Sequence, residues 1–280
     1  TTSFTIHFSS MTLKTFRLQR LSQDSFSPER SLIRSLLRKG ARGNVLAYVQ
    51  ASSNYANFIT DYLFLAGFSD KVERQFELKN VLADCWRYLP YTRRVSDFER
   101  FLQVRLERYH GSKPVAFKSP HQALNKLSHD GRFLLAARFL NNWSHKSVRL
   151  ALRTKEKELL ESIMGLRCLL TDVKAEKLTA VERAQVMKIS DLLEGGFSGK
   201  DCRRIEREIS GQYHALQFKA DWLSYRCELA HLRSEVTLDE GERTELSRVM
   251  IERIKVQPME KPRLYDSLVN QISFVRLPIL

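Results

Sequence analysis

Residues 140–167 read LNNWSHKSVRLALRTKEKELLESIMGLR, two helical patterns joined by a short turn in a strongly basic part of the chain. Such a pair is either a helix-turn-helix that reads DNA or two packed helices with lysines on their wet faces. The motif alone does not choose between them, so the rest of the chain has to.

The chain has 280 residues, enough for two or three small domains. Its 43% hydrophobic content is spread along the length and supports folded cores. Gly (11) and Pro (7) are sparse, which favours long helices over a turn-rich β fold. Residues 1–170 hold 28 Lys and Arg against 14 Asp and Glu, while residues 171–280 hold 18 of each, so the whole excess of +14 lies in the first part. A basic excess confined to one part fits a polyanion partner, usually nucleic acid, or simply a soluble basic surface.

Cys85, Cys168, Cys202 and Cys227 are widely spaced with no CxxC pair, which points away from a zinc ribbon or a disulfide scaffold and towards reduced thiols. Cys227 and His231 share a helix face, but two ligands do not make a zinc site. No metal and no cofactor are expected. No run reaches the roughly 18–20 apolar residues of a membrane span. TTSFTIHFSS, ahead of Met11, lacks the basic start and long apolar core of a signal peptide and reads as an upstream extension. The expected location is cytoplasmic.

From Ser31 the apolar spacing is helical. One helix ends at Gly40 and a second at Gly67. Ser69 and Asp70 can cap a third, in which Val72, Phe76, Val81, Leu82 and Trp86 suit one buried face, and Pro90 stops it. A fourth starts at a Ser96/Asp97 cap. GSKPVAFKSP, residues 111–120, reads as a linker. Two helices split near Asp130-Gly131 follow, then the opening stretch, then four segments at roughly 180–196, 199–213, 215–234 and 240–256. The closing LVNQISFVRLPIL is apolar enough to dock on something. The expected fold is all-α, with an extension (1–30), three small helical domains (31–110, 121–170 and 171–280, the last including the tail) and the 111–120 linker.

NVLADCWRYLPYTRRVSDFERFLQVRLERY, residues 80–109, carries a Trp86-Arg87 pair, a basic and aromatic loop, and a helix opening with Phe98 and Phe101. It resembles region two of the extracytoplasmic-function (ECF) sigma factors. Arg87, Arg93, Arg94 and Arg100 can meet phosphates, while Tyr88 and Tyr91 can stack on splayed bases, the combination that strand separation needs. A core Trp with a solvated loop is the bland alternative. ALNKLSHDGRFLLAARFLNNWSHKSVRLALRTKEKELLESIMGLRCLL, residues 123–170, is similar to sigma region four in the order and spacing of its features. That resemblance makes the opening stretch a helix-turn-helix by descent. It implies contact with double-stranded promoter DNA through Lys155 and Lys157, flanked by His145, Lys146, Arg149 and Arg153. Glu156, Glu158 and Glu161 on the same helix repel phosphate. Arg153 stands where the family's turn has glycine, although an unstrained turn without glycine is possible.

Core RNA polymerase is the second partner the resemblance implies. The docking positions are here Glu73, Arg74, Gln75, Phe76 and Lys79, and Lys79 in place of the family's Gln puts that partner in doubt. Residues 188–258 hold ISDLLEGG, WLSYR and SRVMIERI elements and resemble the zinc-free cytoplasmic domain of membrane-anchored anti-sigma factors. Ile189, Leu192, Leu193, Trp222, Tyr225 and Leu229 would then face the sigma-like part as an intramolecular clamp. A plain helical bundle is the alternative.

The resemblances together imply an ECF sigma-like transcription regulator held in check by its own C-terminal domain. The alternative is a degenerate sigma-derived DNA- or protein-binding regulator that no longer binds core polymerase. With no Gly-rich phosphate loop, HExxH or GxSxG, an enzyme is not expected.

Overall fold

The computed structural model describes residues 28–113, 117–118, 121–195 and 199–260. The expected extension lies almost wholly outside them, as does the closing apolar stretch. Among the described residues, eleven α-helices follow in chain order: α1 (Pro28–Gly40), α2 (Val45–Leu65), α3 (Lys71–Arg87), α4 (Val95–Glu107), α5 (His129–Leu134), α6 (His145–Leu152), α7 (Glu156–Leu170), α8 (Ala180–Leu193), α9 (Gly199–Ile209), α10 (Tyr213–Ser234) and α11 (Glu240–Val256). No strand occurs among the described residues, so the fold is all-α as the sparse Gly and Pro imply.

Local chemistry sets the helix ends. The Asn44 side chain accepts the Ala47 N–H (2.9 Å) and Asp70 accepts that of Glu73 (2.8 Å), each satisfying a first-turn donor. Helix α4 begins one residue earlier than its Ser96/Asp97 signal. Asp97 sits inside the first turn and reaches back to the N–H groups of Arg93 (3.1 Å) and Arg94 (2.9 Å). The break expected near Asp130-Gly131 falls at Leu127-Ser128, between a 3-10 turn (His121–Lys126) and α5, which Ser128 caps by accepting the Gly131 N–H at 3.1 Å. Helix α5 then widens into a π-type segment, Leu135–Leu140, of the kind found where a helix must re-aim its side chains.

The described chain forms two compact units, and the described residues from 171 to 260 are divided between them. The first unit takes residues 32–113 and the described residues from 236 onward. Its core is the α2 column of Tyr48, Tyr55, Phe58, Ile59 and Tyr62 against Leu78, Val81, Leu82, Cys85 and Trp86 of α3 and Phe98, Leu102 and Leu106 of α4. Helix α11 packs on α2 and α3 through Leu246, Met250 and Ile254, an i, i+4, i+8 stripe. Gly40 lets the chain pass, since a Cβ there would lie 3.0 Å from both Leu89 Cδ2 and Tyr48 Cβ.

The buried face of α3 differs from its sequence reading. Val72 is 76% and Phe76 59% exposed, and the inward stripe runs instead through Leu78, Val81, Leu82, Cys85 and Trp86. Arg74 supplies the reason. Its buried guanidinium donates to the carbonyls of Phe68 (2.9 Å) and Ser69, which fixes the rotation of the first turn.

The second unit contains residues 28–31 and the described residues between 117 and 235. There α7 packs on α6, α8 and α10, and α8 packs on α9 and α10. Inside the linker, Phe117 exchanges two 2.9 Å hydrogen bonds with the Asn125 amide, tying that part of it down.

Candidate functional site

Ser144 caps α6 by accepting the Ser147 N–H at 3.2 Å, and α6 ends at Arg153 with φ 54° and ψ 40°. This is the left-handed conformation that an L residue enters at a cost of about 1–2 kcal/mol. Arg153 therefore occupies the glycine-type position in the glycine conformation, and the unstrained turn considered from sequence is not what forms. Helix α7 starts with Lys155, Glu156, Lys157 and Glu158 exposed. Glu158 accepts the Lys155 N–H (2.9 Å) and the Thr154 hydroxyl (2.9 Å), and the Lys155 bond first, then that of Thr154, holds its carboxyl below the usual range. The N-cap N–H of α7 thus already has a carboxylate, and Glu158 sets a negative charge at the helix start that an anion would approach.

The other end of α7 is buried. Ile163, Met164, Leu166, Arg167, Cys168 and Leu170 all face inward. Met164 and Cys168 share one apolar cluster with Val186, Ile189 and Leu192 of α8, Ile205 and Ile209 of α9, and Ala215 and Phe218 of α10. Helix α7 and the three helices that follow it therefore have a common core.

A charged hub lies inside this unit. Glu194 follows the last turn of α8, and Gly195 leaves it at φ 71°, a left-handed C-terminal stop that suits glycine. The Glu194 side chain is 4% exposed. Its Oε2 accepts Arg138 Nε (2.8 Å), Arg138 Nη2 (2.6 Å) and His145 Nε2 (2.6 Å), while Oε1 accepts from Arg167 Nη2. Arg167 also donates through Nη1 to the Ser190 carbonyl (2.7 Å) and hydroxyl (2.6 Å). Its guanidinium lies 5.0 Å from the Trp222 ring centre and 5.2 Å from that of Phe139, and those two rings meet edge-on at 4.9 Å. Burial opposes ionisation of Glu194. Arg167, the His145 hydrogen bond and Arg138 outweigh it and hold the carboxyl well below the usual range.

In the first unit, the basic and aromatic loop is similarly occupied. Trp86 is buried, stacks at 5.2 Å on Tyr48 and donates Nε1 to the Gln257 carbonyl at 3.0 Å. Arg87 pairs with Glu260 at 2.8 Å, and the Glu260 N–H donates to the Arg87 carbonyl at 2.9 Å. Tyr88 is half-buried against Phe101 (5.4 Å) and Tyr91 (6.3 Å), with Arg105 over its ring at 4.8 Å. Arg93 and Arg94 are exposed, whereas Arg100 donates to Gln103 at 2.7 Å.

The expected DNA-facing residues thus fall into distinct groups. Lys146, Lys155, Lys157, Arg93 and Arg94 are exposed, and Arg149 is half-buried. His145, expected to flank a phosphate, is instead turned inward on Glu194. Tyr88 and Tyr91 pack on neighbouring rings and are only half open. The expected clamp residues Ile189, Leu192, Trp222, Tyr225 and Leu229 are buried in the second unit and Leu193 is half-buried there. Lys79 and Arg253 lie along the packed α3 and α11, where Arg253 reaches Asn80 at 2.7 Å and Gln75 meets Glu242 at 2.7 Å.

Sequence reading missed Glu194, whose only signal was its place in ISDLLEGG, and the 257–260 stretch that lies on Trp86-Arg87. No group of three or more His, Cys, Asp or Glu side chains able to hold a metal comes together among the described residues, and none of their helices is long and apolar enough to cross a membrane. Comparison with protein-family models gives no match, and neither curated proteins nor solved structures match the chain.

Proposed function

We propose that this chain is an ECF sigma factor-like transcription regulator whose C-terminal part restrains the elements that would engage DNA and core RNA polymerase. The observation that carries this reading is the Glu194 hub. A carboxylate from the segment resembling an anti-sigma domain ties down Arg138, His145 and Arg167 of the segment resembling sigma region four. The first unit supports it independently, because α11 covers α2 and α3 while Gln257 takes the Trp86 N–H and Glu260 pairs with Arg87. Charge agrees too, since the basic excess lies wholly in the part being covered.

A second reading, a degenerate sigma-derived regulator without polymerase binding, is favoured by two observations. Glu158 fills the start of α7, and Lys79 stands at a docking position. Duplex-DNA binding by the full chain and by Glu194→Lys, across a salt series, tests the restraint. The variant should bind more tightly with a steeper salt dependence as phosphate contacts are added. Equal affinity and slope for both chains would remove the hub as a restraint on DNA binding.

A further inference from the structure

The Glu194 hub has more donor geometry than a carboxylate uses well. Three N–H groups, two from Arg138 and one from His145, converge on Oε2 alone at 2.6–2.8 Å, while Oε1 takes Arg167. An ionised carboxylate offers about two acceptor directions on each oxygen. Two guanidiniums and an imidazole N–H are thus gathered around one monoanion whose oxygens lie in a single plane. A phosphate group presents its oxygens tetrahedrally and would spread the same donors over separate atoms, the match for which arginine forks are suited.

The protein's own framework holds these donors in place. Arg138 Nη1 donates to the Trp143 carbonyl at 2.8 Å, which fixes the arginine against the turn before α6. His145 is the first residue of α6, so its imidazole is anchored at the positive end of that helix. Arg167 is held between Trp222 and Phe139. Glu194, by contrast, is delivered on a helix end followed by the αL glycine Gly195, at the negative pole of α8, where a carboxylate gains nothing from its own helix.

We infer that Arg138, His145 and Arg167 form an oxyanion site of phosphate type, which Glu194 fills in cis and a phosphate group fills when Glu194 is withdrawn. The phosphate comes either from a nucleic acid or from free phosphate. The inference rests on the proposed function only in making nucleic acid one of these sources. Glu194 then acts as a built-in competitor, and the anion that replaces it stabilises the withdrawn state by mass action.

The test uses the full chain as wild type, Glu194→Ala, and Glu194→Ala combined with Arg138→Met, in sodium phosphate against sodium chloride of equal ionic strength. Thermal unfolding of Glu194→Ala should rise by about 3–6 °C at a phosphate concentration about ten times its dissociation constant. Wild type and the double variant should not share the rise. If Glu194→Ala does not fold in chloride, Glu194→Ser, which also vacates the site, is carried through the same titration. A parallel arm uses a short oligonucleotide with and without a 5′-phosphate. A rise with the oligonucleotide identifies nucleic acid as the source, and a rise with inorganic phosphate alone identifies free phosphate. No rise in either single variant, or the same rise in wild type or in the double variant, overturns the site. A phosphate response in a chain that binds neither promoter DNA nor polymerase would leave the site standing and remove the sigma-like reading.

Discussion

Glu194→Ala is expected to destabilise the full chain by about 3–5 kcal/mol, the usual result of removing one partner from a buried ion pair. The structure sets the size. Arg167 is 2% exposed at its side chain and keeps its bonds to Ser190 and its two ring contacts but no counter-charge, so most of the loss arises from its unpaired charge. Arg138 and His145, at 13% and 10%, recover part of theirs by admitting water. Urea unfolding followed by far-UV circular dichroism measures it, with Arg167→Met and the double variant completing a cycle. The two changes should be strongly non-additive, because each removes what makes the other costly. Acid adds an independent reading. Burial opposes the charge on Glu194, but Arg167, His145 and Arg138 leave its folded pKa depressed, so its contribution is complete above the unfolded carboxylate value near pH 4. It is lost as pH falls through the lower folded value, and Glu194→Gln should flatten the wild-type acid transition in that window. A loss below about 1 kcal/mol, or simple additivity with Arg167→Met, would refute the hub as a coupled buried centre.

Other expectations follow from single positions. Arg153→Gly should be more stable than Arg153→Ala by about 1 kcal/mol, since only glycine relieves the left-handed conformation, and equal chemical-denaturation midpoints would contradict that turn. Met250→Ala should cost about 2–5 kcal/mol by leaving a cavity between α11 and the α2–α3 pair, and a near-neutral result would mean that α11 is not part of that core. In a chain released by Glu194→Lys, Lys155→Glu should weaken duplex-DNA binding and lower its salt slope, while unchanged values would make α7 structural.

Much of the helical layout could be read locally. Asp70 caps, Pro90 stops, and the four segments after residue 179 fall close to α8, α9, α10 and α11, because periodicity and caps act within a few residues. The errors have local causes too. Val72 and Phe76 fit a buried stripe by spacing, yet the Arg74 guanidinium turns that face outward. Asp130-Gly131 reads as a break, yet Ser128 makes those residues a first turn. What sequence could not give is long-range. Glu194 meets partners 27, 49 and 56 residues away, and Trp86 meets Gln257 across 171. The sharing of residues 171–260 between two units has the same origin, since an amphipathic stripe signals a buried face but not the surface it meets.

The most direct test of the restrained-regulator reading is the affinity of the full chain for bacterial core RNA polymerase, compared with that of a Glu194→Lys, Met250→Asp double variant whose folding has been checked by circular dichroism. Autoinhibition predicts weak binding by wild type and binding at least about tenfold tighter by the variant, equivalent to about 1.4 kcal/mol of released restraint. Equal binding by both would contradict the restraint, and no binding by a folded variant would contradict the polymerase-binding function itself.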